Sequence, residues 1–223
     1  IDKALVLIKK FPQEVILYNI TSLAYNAVDK GEEAKKLLFK IKKKQPQNIS
    51  VLNNLGLACV QCGENEEAEE YYNNALKLKP DFLEVLVNLG NLKIKQNKNE
   101  EAKNLFIKAI KINGDLVPPK LSLATFYEQS GDFDEAKKLY YEILKTNPNF
   151  TAADKSISLI HKYKSGDEHL KIMEKKIKEN ISSEAKRSLN FALGKAYEDI
   201  GDYEKSFKFY ENGNKLFKED INY

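Results

Sequence analysis

The chain has 223 residues, of which 42% are hydrophobic and 31% charged, a balance that suits a folded protein and excludes an intrinsically disordered one. Its net charge of +3 is too small to indicate a nucleic-acid partner. No apolar run approaches the length of a membrane span, and no charged-then-apolar leader precedes a cleavage site. The first residue is Ile1 and the only methionine is Met173, so the expectation is a fragment or processed chain that continues past Tyr223. Charge is uneven: residues 1–48 hold ten lysines against five acids, several of them (Lys40, Lys42, Lys43, Lys44) where a helix C-terminus favours cations.

In chain order, residues 1–14 predict a partial repeat: IDKALVLIKK reads as the second helix of a pair, and Pro12 marks the turn after it. Residues 15–48 form the first complete repeat, with Tyr25, Ala34, Leu38 and Pro46 in register. It departs at Thr21 and Ser22, where Leu and Gly are usual, which predicts a looser contact between its helices. In residues 49–82, Leu52, Leu55 and Cys59 recur at helical spacing on one face, Gly63 closes the turn, and Ala68, Tyr72 and Ala75 face inward from the second helix. Residues 83–116 repeat this with Leu89, Gly90, Ala102, Phe106 and Ala109, but Lys93 replaces an aromatic and Gly114 a closing Pro. Residues 117–150 open on Pro118 and Pro119, tolerated in a first helical turn, and carry Leu123, Ala124, Tyr127, Gly131, Ala136, Tyr140 and Pro148. Residues 151–186 are degenerate: Leu170 stands where Ala is expected, and the step from Ile157 to Leu193 is 36 residues. Residues 187–220 restore the pattern through Leu193, Gly194, Tyr197, Gly201 and Tyr210, with Ser206 and Gly213 in the alanine places.

The spacing is consistent across registers. Ala34, Ala68, Ala102 and Ala136 stand 34 residues apart, as do Leu55, Leu89 and Leu123, and Tyr72, Phe106 and Tyr140. A fixed period of this length means an array of stacked supersecondary units. With its Leu-Gly pair, small Ala68, aromatic Tyr72, small Ala75 and closing Pro80, LNNLGLACVQCGENEEAEEYYNNALKLKP resembles a tetratricopeptide repeat (TPR) from end to end, and SLATFYEQSGDFDEAKKLYYEILKTNPNF resembles it again. The resemblance implies an all-α fold, a right-handed superhelical solenoid of antiparallel helix pairs spanning residues 1–223 as a single TPR array. It is specific for fold and unspecific for function, because such repeats serve as docking surfaces for very different partners. The stretch from about residue 157 to 223, with His161, His169 and Met173, is also similar to the last repeats before the catalytic part of bacterial TPR–sulfotransferase fusion proteins. The phosphosulfate-binding loop of those enzymes is not in this chain.

Side chains that could carry chemistry have structural readings. Cys59 and Cys62 form a CxxC, but neither a strand-to-helix redox setting nor a second ligand pair accompanies it. Cys59 occupies the packing slot filled by Tyr25, Tyr127 and Tyr197, so free, packed thiols are expected in a reducing compartment, the cytoplasm. His161 fills the same slot, and His169 starts a helix beside Asp167 and Glu168. No Ser-His-Asp order, Gly-rich phosphate loop or paired metal-ligand cluster is evident, so the expectation is no enzyme, no cofactor and no metal.

In TPR arrays the exposed stripe of the first helices lines a concave groove. Asn54 and Asn88 lie one period apart on it, and an amide that both donates and accepts can hold a peptide backbone whatever its side chains. Asn53, Asn91, Gln61, Lys95, Thr125 and Glu128 are expected to face the same groove. Asn19, Glu84 and Asn88 stand where a chaperone-tail carboxylate clamp needs cations, which argues against that variant. The expected function is therefore a scaffold that binds a protein or an extended peptide, without nucleic acid or membrane. The alternatives are the substrate-recruiting arm of a larger enzyme such as a TPR–sulfotransferase, self-association through exposed array ends, and RNA binding; the last is disfavoured by the period and the charge.

Overall fold

The computed structural model describes residues 1–221, the last two of these by backbone alone. Among the described residues it contains thirteen α-helices and no strand. After α1 (Asp2–Lys10), five helix pairs follow: α2 (Val15–Asn26) with α3 (Gly31–Lys42), α4 (Ile49–Cys62) with α5 (Asn65–Leu78), α6 (Leu83–Lys95) with α7 (Asn99–Ile112), α8 (Val117–Gln129) with α9 (Phe133–Thr146), and α10 (Thr151–Ile160) with α11 (Glu168–Lys176). The last pair is α12 (Ser183–Asp199) and α13 (Tyr203–Ile221). Two compact units result, Ile1–Gly114 and Asp115–Tyr223. Their boundary falls at Gly114, the position at which neighbouring repeats place a proline.

Each turn inside a pair needs one left-handed residue. Gly63, Gly131 and Gly201 supply it with φ of 81°, 82° and 81°. In the first and third repeats Asp29 (φ 56°) and Asn97 (φ 58°) occupy the same place, the residue types that tolerate this conformation best after glycine. The fifth repeat shifts the feature by one residue, to Gly166. Helix starts are marked as well: the side chains of Asn48, Asp132, Asp167 and Ser182 accept backbone N–H bonds at the N-termini of α4, α9, α11 and α12. The Ser182 cap starts α12 four residues ahead of 187, where the sequence reading opens the last repeat.

Packing within a pair turns on small residues facing an aromatic ring. Ala34, Ala68, Ala102 and Ala136 are completely buried. A Cβ added to Gly56 would lie 2.4 Å from the ring of Tyr72, and one added to Gly90 would lie 2.4 Å from that of Phe106. Gly194 meets Tyr210 in the same way, at 2.8 Å. In the first repeat the partners change together: Ser22 takes the glycine place and Leu38 the aromatic one, and both are fully buried. Thr21 and Ser22 donate their hydroxyls to Leu17 O and Asn19 O of the same helix at 2.7 and 2.8 Å, so both buried hydroxyls are satisfied within α2.

The fifth repeat is built differently. In the regular pairs the two helices pack on each other, whereas α10 packs mainly on α9 and α12, and α11 on α12. Leu170, where the four regular repeats carry alanine, is itself buried and excludes the close approach that alanine permits. Ala102→Leu should therefore lower stability by about 1–3 kcal/mol through overpacking, while Asn104→Leu, two residues on and exposed, should leave the thermal midpoint nearly unchanged; circular dichroism melts of the two variants compare them directly.

Candidate docking site

In the first unit the first helices of the three pairs are α2, α4 and α6. Asn53 and Asn54 are 8% and 5% exposed, so they do not stand as free amides. Asn88 Nδ2 donates to Asn53 Oδ1 at 2.9 Å, and Asn53 Nδ2 donates to Asn54 Oδ1 at 3.4 Å. The three amides form one chain across α4 and α6, with Asn88 half-buried at its outer end. Asn91 and Lys95 are exposed on the following turns of α6. Gln61 is spent on the protein itself: its Nε2 donates to Asn26 O at 2.7 Å and to Asp29 Oδ1 at 3.0 Å, closing the end of α2. One period before Asn54, α2 presents aliphatic groups instead, and Ile16, Ile20 and Leu23 stand exposed at helical spacing.

The remaining two predicted positions lie in the second unit. Thr125 is exposed on α8. Glu128 accepts the hydroxyl of the buried Tyr140 at 2.7 Å, and Glu198 accepts that of the half-buried Tyr210 at 3.1 Å, so each carboxylate satisfies a tyrosine hydroxyl. Burial, followed by the hydrogen bond to Glu128, holds the Tyr140 phenol above its usual range.

The polar groups the sequence reading left as packing or exposed residues form buried clusters. Lys93, in the aromatic slot, is 5% exposed and pairs with Glu69 at 2.6 Å and Glu101 at 2.8 Å. Burial pulls its ammonium down, and the two carboxylates more than offset this, leaving it above its ordinary value. Cys59 is fully buried, and its desolvated thiol is pushed up to about 12, the opposite of a reactive thiolate. Both cysteines are free. Ligand atoms of Cys59, Glu64 and Glu67 lie within 4.8 Å of one another, but Glu64 is engaged by the Lys35 ammonium, which already supplies the positive charge that carboxylate requires.

The largest cluster joins α10 and α11. Asp154, with no exposed surface, accepts from His169 Nε2 at 3.0 Å through Oδ1 and from Lys176 Nζ at 2.6 Å through Oδ2. His169 Nδ1 in turn accepts the Tyr163 hydroxyl at 2.7 Å, so its two neighbours fix the tautomer with the proton on Nε2. The side chains reach across a gap that the backbones do not close, replacing the alanine contact of the regular repeats. Sequence reasoning placed His169 at a helix start and did not see Asp154, Tyr163 or Lys176; the break in period was the available signal. Next to it, Asp199 ties the 161–163 segment to α12, accepting from Lys162 Nζ at 2.7 Å, from Tyr163 N at 3.3 Å and from Lys195.

Removing one partner of a buried ion pair typically costs about 3–5 kcal/mol. Lys176→Met should therefore destabilise the second unit strongly, and the double change Lys176→Met with Asp154→Leu should recover part of the loss in urea denaturation. A pH effect follows from Asp199. Burial pushes its carboxyl up, but Lys162, Lys195 and the Tyr163 amide more than offset this and hold it below its ordinary value of 3.8. A depressed carboxyl stabilises the folded state above its unfolded value, and that contribution disappears as pH falls through the folded one. The urea midpoint should thus hold at neutral pH and drop below about pH 4, and Asp199→Asn should show a smaller drop over the same interval.

No helix among the described residues is long and apolar enough to cross a membrane. Models of the tetratricopeptide repeat match residues 49–82, 93–157 and 188–220. No curated protein matches the chain. Among solved structures, it is similar to a tetratricopeptide repeat protein from Parabacteroides merdae ATCC 43184, at 18% identity over 96% of this chain and 84% of that one, with a TM-score of 0.62. It is similar also to MamA, at 18% identity over 91% of this chain and 97% of that one, with a TM-score of 0.54. These likenesses extend over most of both chains and support the repeat architecture.

Proposed function

The chain belongs to the tetratricopeptide repeat family, and we propose that it is a protein-docking module that holds an extended peptide on the inner helix faces of its first unit and performs no chemistry of its own. The observation that carries this reading is the amide chain Asn88–Asn53–Asn54 beside the exposed aliphatic stripe Ile16, Ile20 and Leu23. Asn88 commits one amide hydrogen to Asn53, and its carbonyl, on a half-buried side chain, is suited to accept a peptide N–H. The aliphatic stripe offers apolar area to alternate side chains of the same strand, and exposed Asn91 and Lys95 border the polar end. Gln61 and Glu128 contribute by holding the fold, since Gln61 Nε2 and Glu128 Oε2 are engaged within the protein.

The absence of chemistry is supported by how the reactive side chains are spent. Cys59 is sealed and protonated, His169 is locked between Asp154 and Tyr163, and His161 faces Asp167 at 2.7 Å.

A net hydrogen bond is worth about 0.5–1.5 kcal/mol, so Asn54→Ala with Asn88→Ala should weaken a captured peptide several-fold while the helical spectrum stays unchanged. Ile20→Asp should weaken it further by removing apolar contact. Calorimetric titration with a peptide obtained by pulldown measures both. Unchanged affinity in both variants, with the fold intact, would place binding elsewhere on the molecule.

A further inference from the structure

Two Asn-Gly steps occur in the chain, Asn113–Gly114 and Asn212–Gly213. Such a step can react with itself. The amide nitrogen of the glycine attacks Cγ of the asparagine, the bond from Cγ to the side-chain nitrogen breaks, and ammonia leaves a five-membered succinimide behind. Water then opens either carbonyl of the ring. The product is an aspartate, or its isomer in which the main chain runs through the side-chain carboxyl. Glycine favours the closure because it lacks a Cβ that would hinder the swing of the peptide plane toward Cγ. In sequence the two steps are alike; their backbones differ.

Asn113 is the C-cap of α7, with φ −145° and ψ 101°. It and Gly114 are both exposed and lie between helices, since α7 ends at Ile112 and α8 begins at Val117. The Gly114 N–H therefore belongs to no helical ladder. Gly213 lies inside α13, where each N–H is held by the carbonyl four residues back. It is also buried: a Cβ added to it would lie 3.3 Å from the Phe191 ring and 3.4 Å from Asn190, so its backbone is packed on α12. Both asparagine side chains are exposed, so the backbone nitrogen makes the difference. Asn113 also interacts within the protein. An exposed group exchanges such a contact for water at little net cost, whereas a ladder bond in a packed helix is released only by unwinding it.

The period supplies a third case. Asn147, 34 residues after Asn113, is the C-cap of α9, with φ −133° and ψ 76°, near the conformation of Asn113. Pro148 follows it, and a proline nitrogen has no hydrogen to give up. Pro46 and Pro80 close the first two full repeats in the same way, and Gly114 breaks that series. The geometry points to Asn113 as a site of spontaneous covalent modification, closing onto Gly114 to a succinimide and opening to an aspartyl or isoaspartyl residue. The change falls where the chain passes from the unit Ile1–Gly114 to the unit Asp115–Tyr223. It puts a carboxylate at the C-terminal end of α7, where the helix dipole disfavours negative charge. The isoaspartyl form also lengthens the main chain there by a methylene group.

The test keeps the full chain at neutral pH and physiological temperature for several weeks, either folded or in guanidinium chloride, and follows each asparagine by tryptic digestion and fragment-ion mass spectrometry. In the folded chain, Asn113 should convert from amide to acid at least about tenfold faster than Asn212, as two separable products of equal mass. In guanidinium chloride the two Asn-Gly steps should react at similar rates, because unfolding removes the ladder that protects Asn212. Gly114→Pro, which installs the residue found at 46, 80 and 148, should abolish the reaction at Asn113 with helicity unchanged. Pro148→Gly should bring Asn147 to a rate comparable with that of Asn113. Equal rates at Asn113 and Asn212 in the folded chain overturn the inference, as does conversion of Asn113 that persists in Gly114→Pro. An Asn113 that stays intact in the folded chain while both steps react in guanidinium chloride overturns it too.

Discussion

The contact between a backbone without a side chain and the face of an aromatic ring governs the regular part of this structure. Where Gly56 lies against Tyr72 and Gly90 against Phe106, there is no room for even a methyl group at its ordinary radius. That contact sets the distance between the helices of a pair, and the buried alanines of the second helix, Ala68 and Ala102, are its counterpart on the other side. A fully buried aromatic ring gains about 1.5–3 kcal/mol from leaving water. No single repeat buries enough to fold alone, so each must lean on its neighbours. The pairing of Ser22 with Leu38 obeys the same geometry: a slightly larger residue on one side is met by a slightly smaller one on the other.

Where that contact is abandoned, charge takes over. Leu170 replaces the alanine of the fifth repeat, α11 no longer packs closely on α10, and the space is bridged by Asp154, His169 and Lys176. Lys93 does something similar in the aromatic slot of the third repeat, held between Glu69 and Glu101. Such clusters add little net stability over an apolar core, since desolvation consumes most of the attraction. Their effect is geometric. Each polar atom has one acceptable partner, and α11 is therefore fixed in position although its apolar contacts are fewer.

The same economy of partners separates docking residues from structural ones. An amide or carboxylate with a polar atom engaged inside the protein, as in Gln61 Nε2 and Glu128 Oε2, holds a helix end or a tyrosine in place. Apolar groups that remain exposed, such as Ile20 in the first unit and Leu159 in the second, are those whose surroundings improve when another chain arrives. Both lie on first helices of their repeats, so a single periodic pattern places exposed groups on more than one repeat.

The sequence alone determined the helix pairs, their order and the buried register, because a 34-residue period repeats the same small and aromatic positions until chance is excluded, and each position has one geometric role. Ala34, Ala68, Ala102 and Ala136 were legible for that reason, as were the glycine turns. The left-handed residues Asp29 and Asn97 could have been found from the same period, since they stand where Gly63 and Gly131 do. Only the tertiary structure decided which polar residues of the first helices are available. Asn53, Asn54, Gln61 and Glu128 share a stripe with Asn91, Lys95 and Thr125, yet partners from other helices, 12 to 35 residues away in sequence, satisfy several of them. Position along the chain says which face a side chain leaves from, and long-range hydrogen bonding says whether anything is left for a ligand to use. The buried cluster at Asp154 was hidden for the same reason: it lies in the one repeat that breaks the period, and its members, 6 to 22 residues apart, meet only because the loop before α11 folds back.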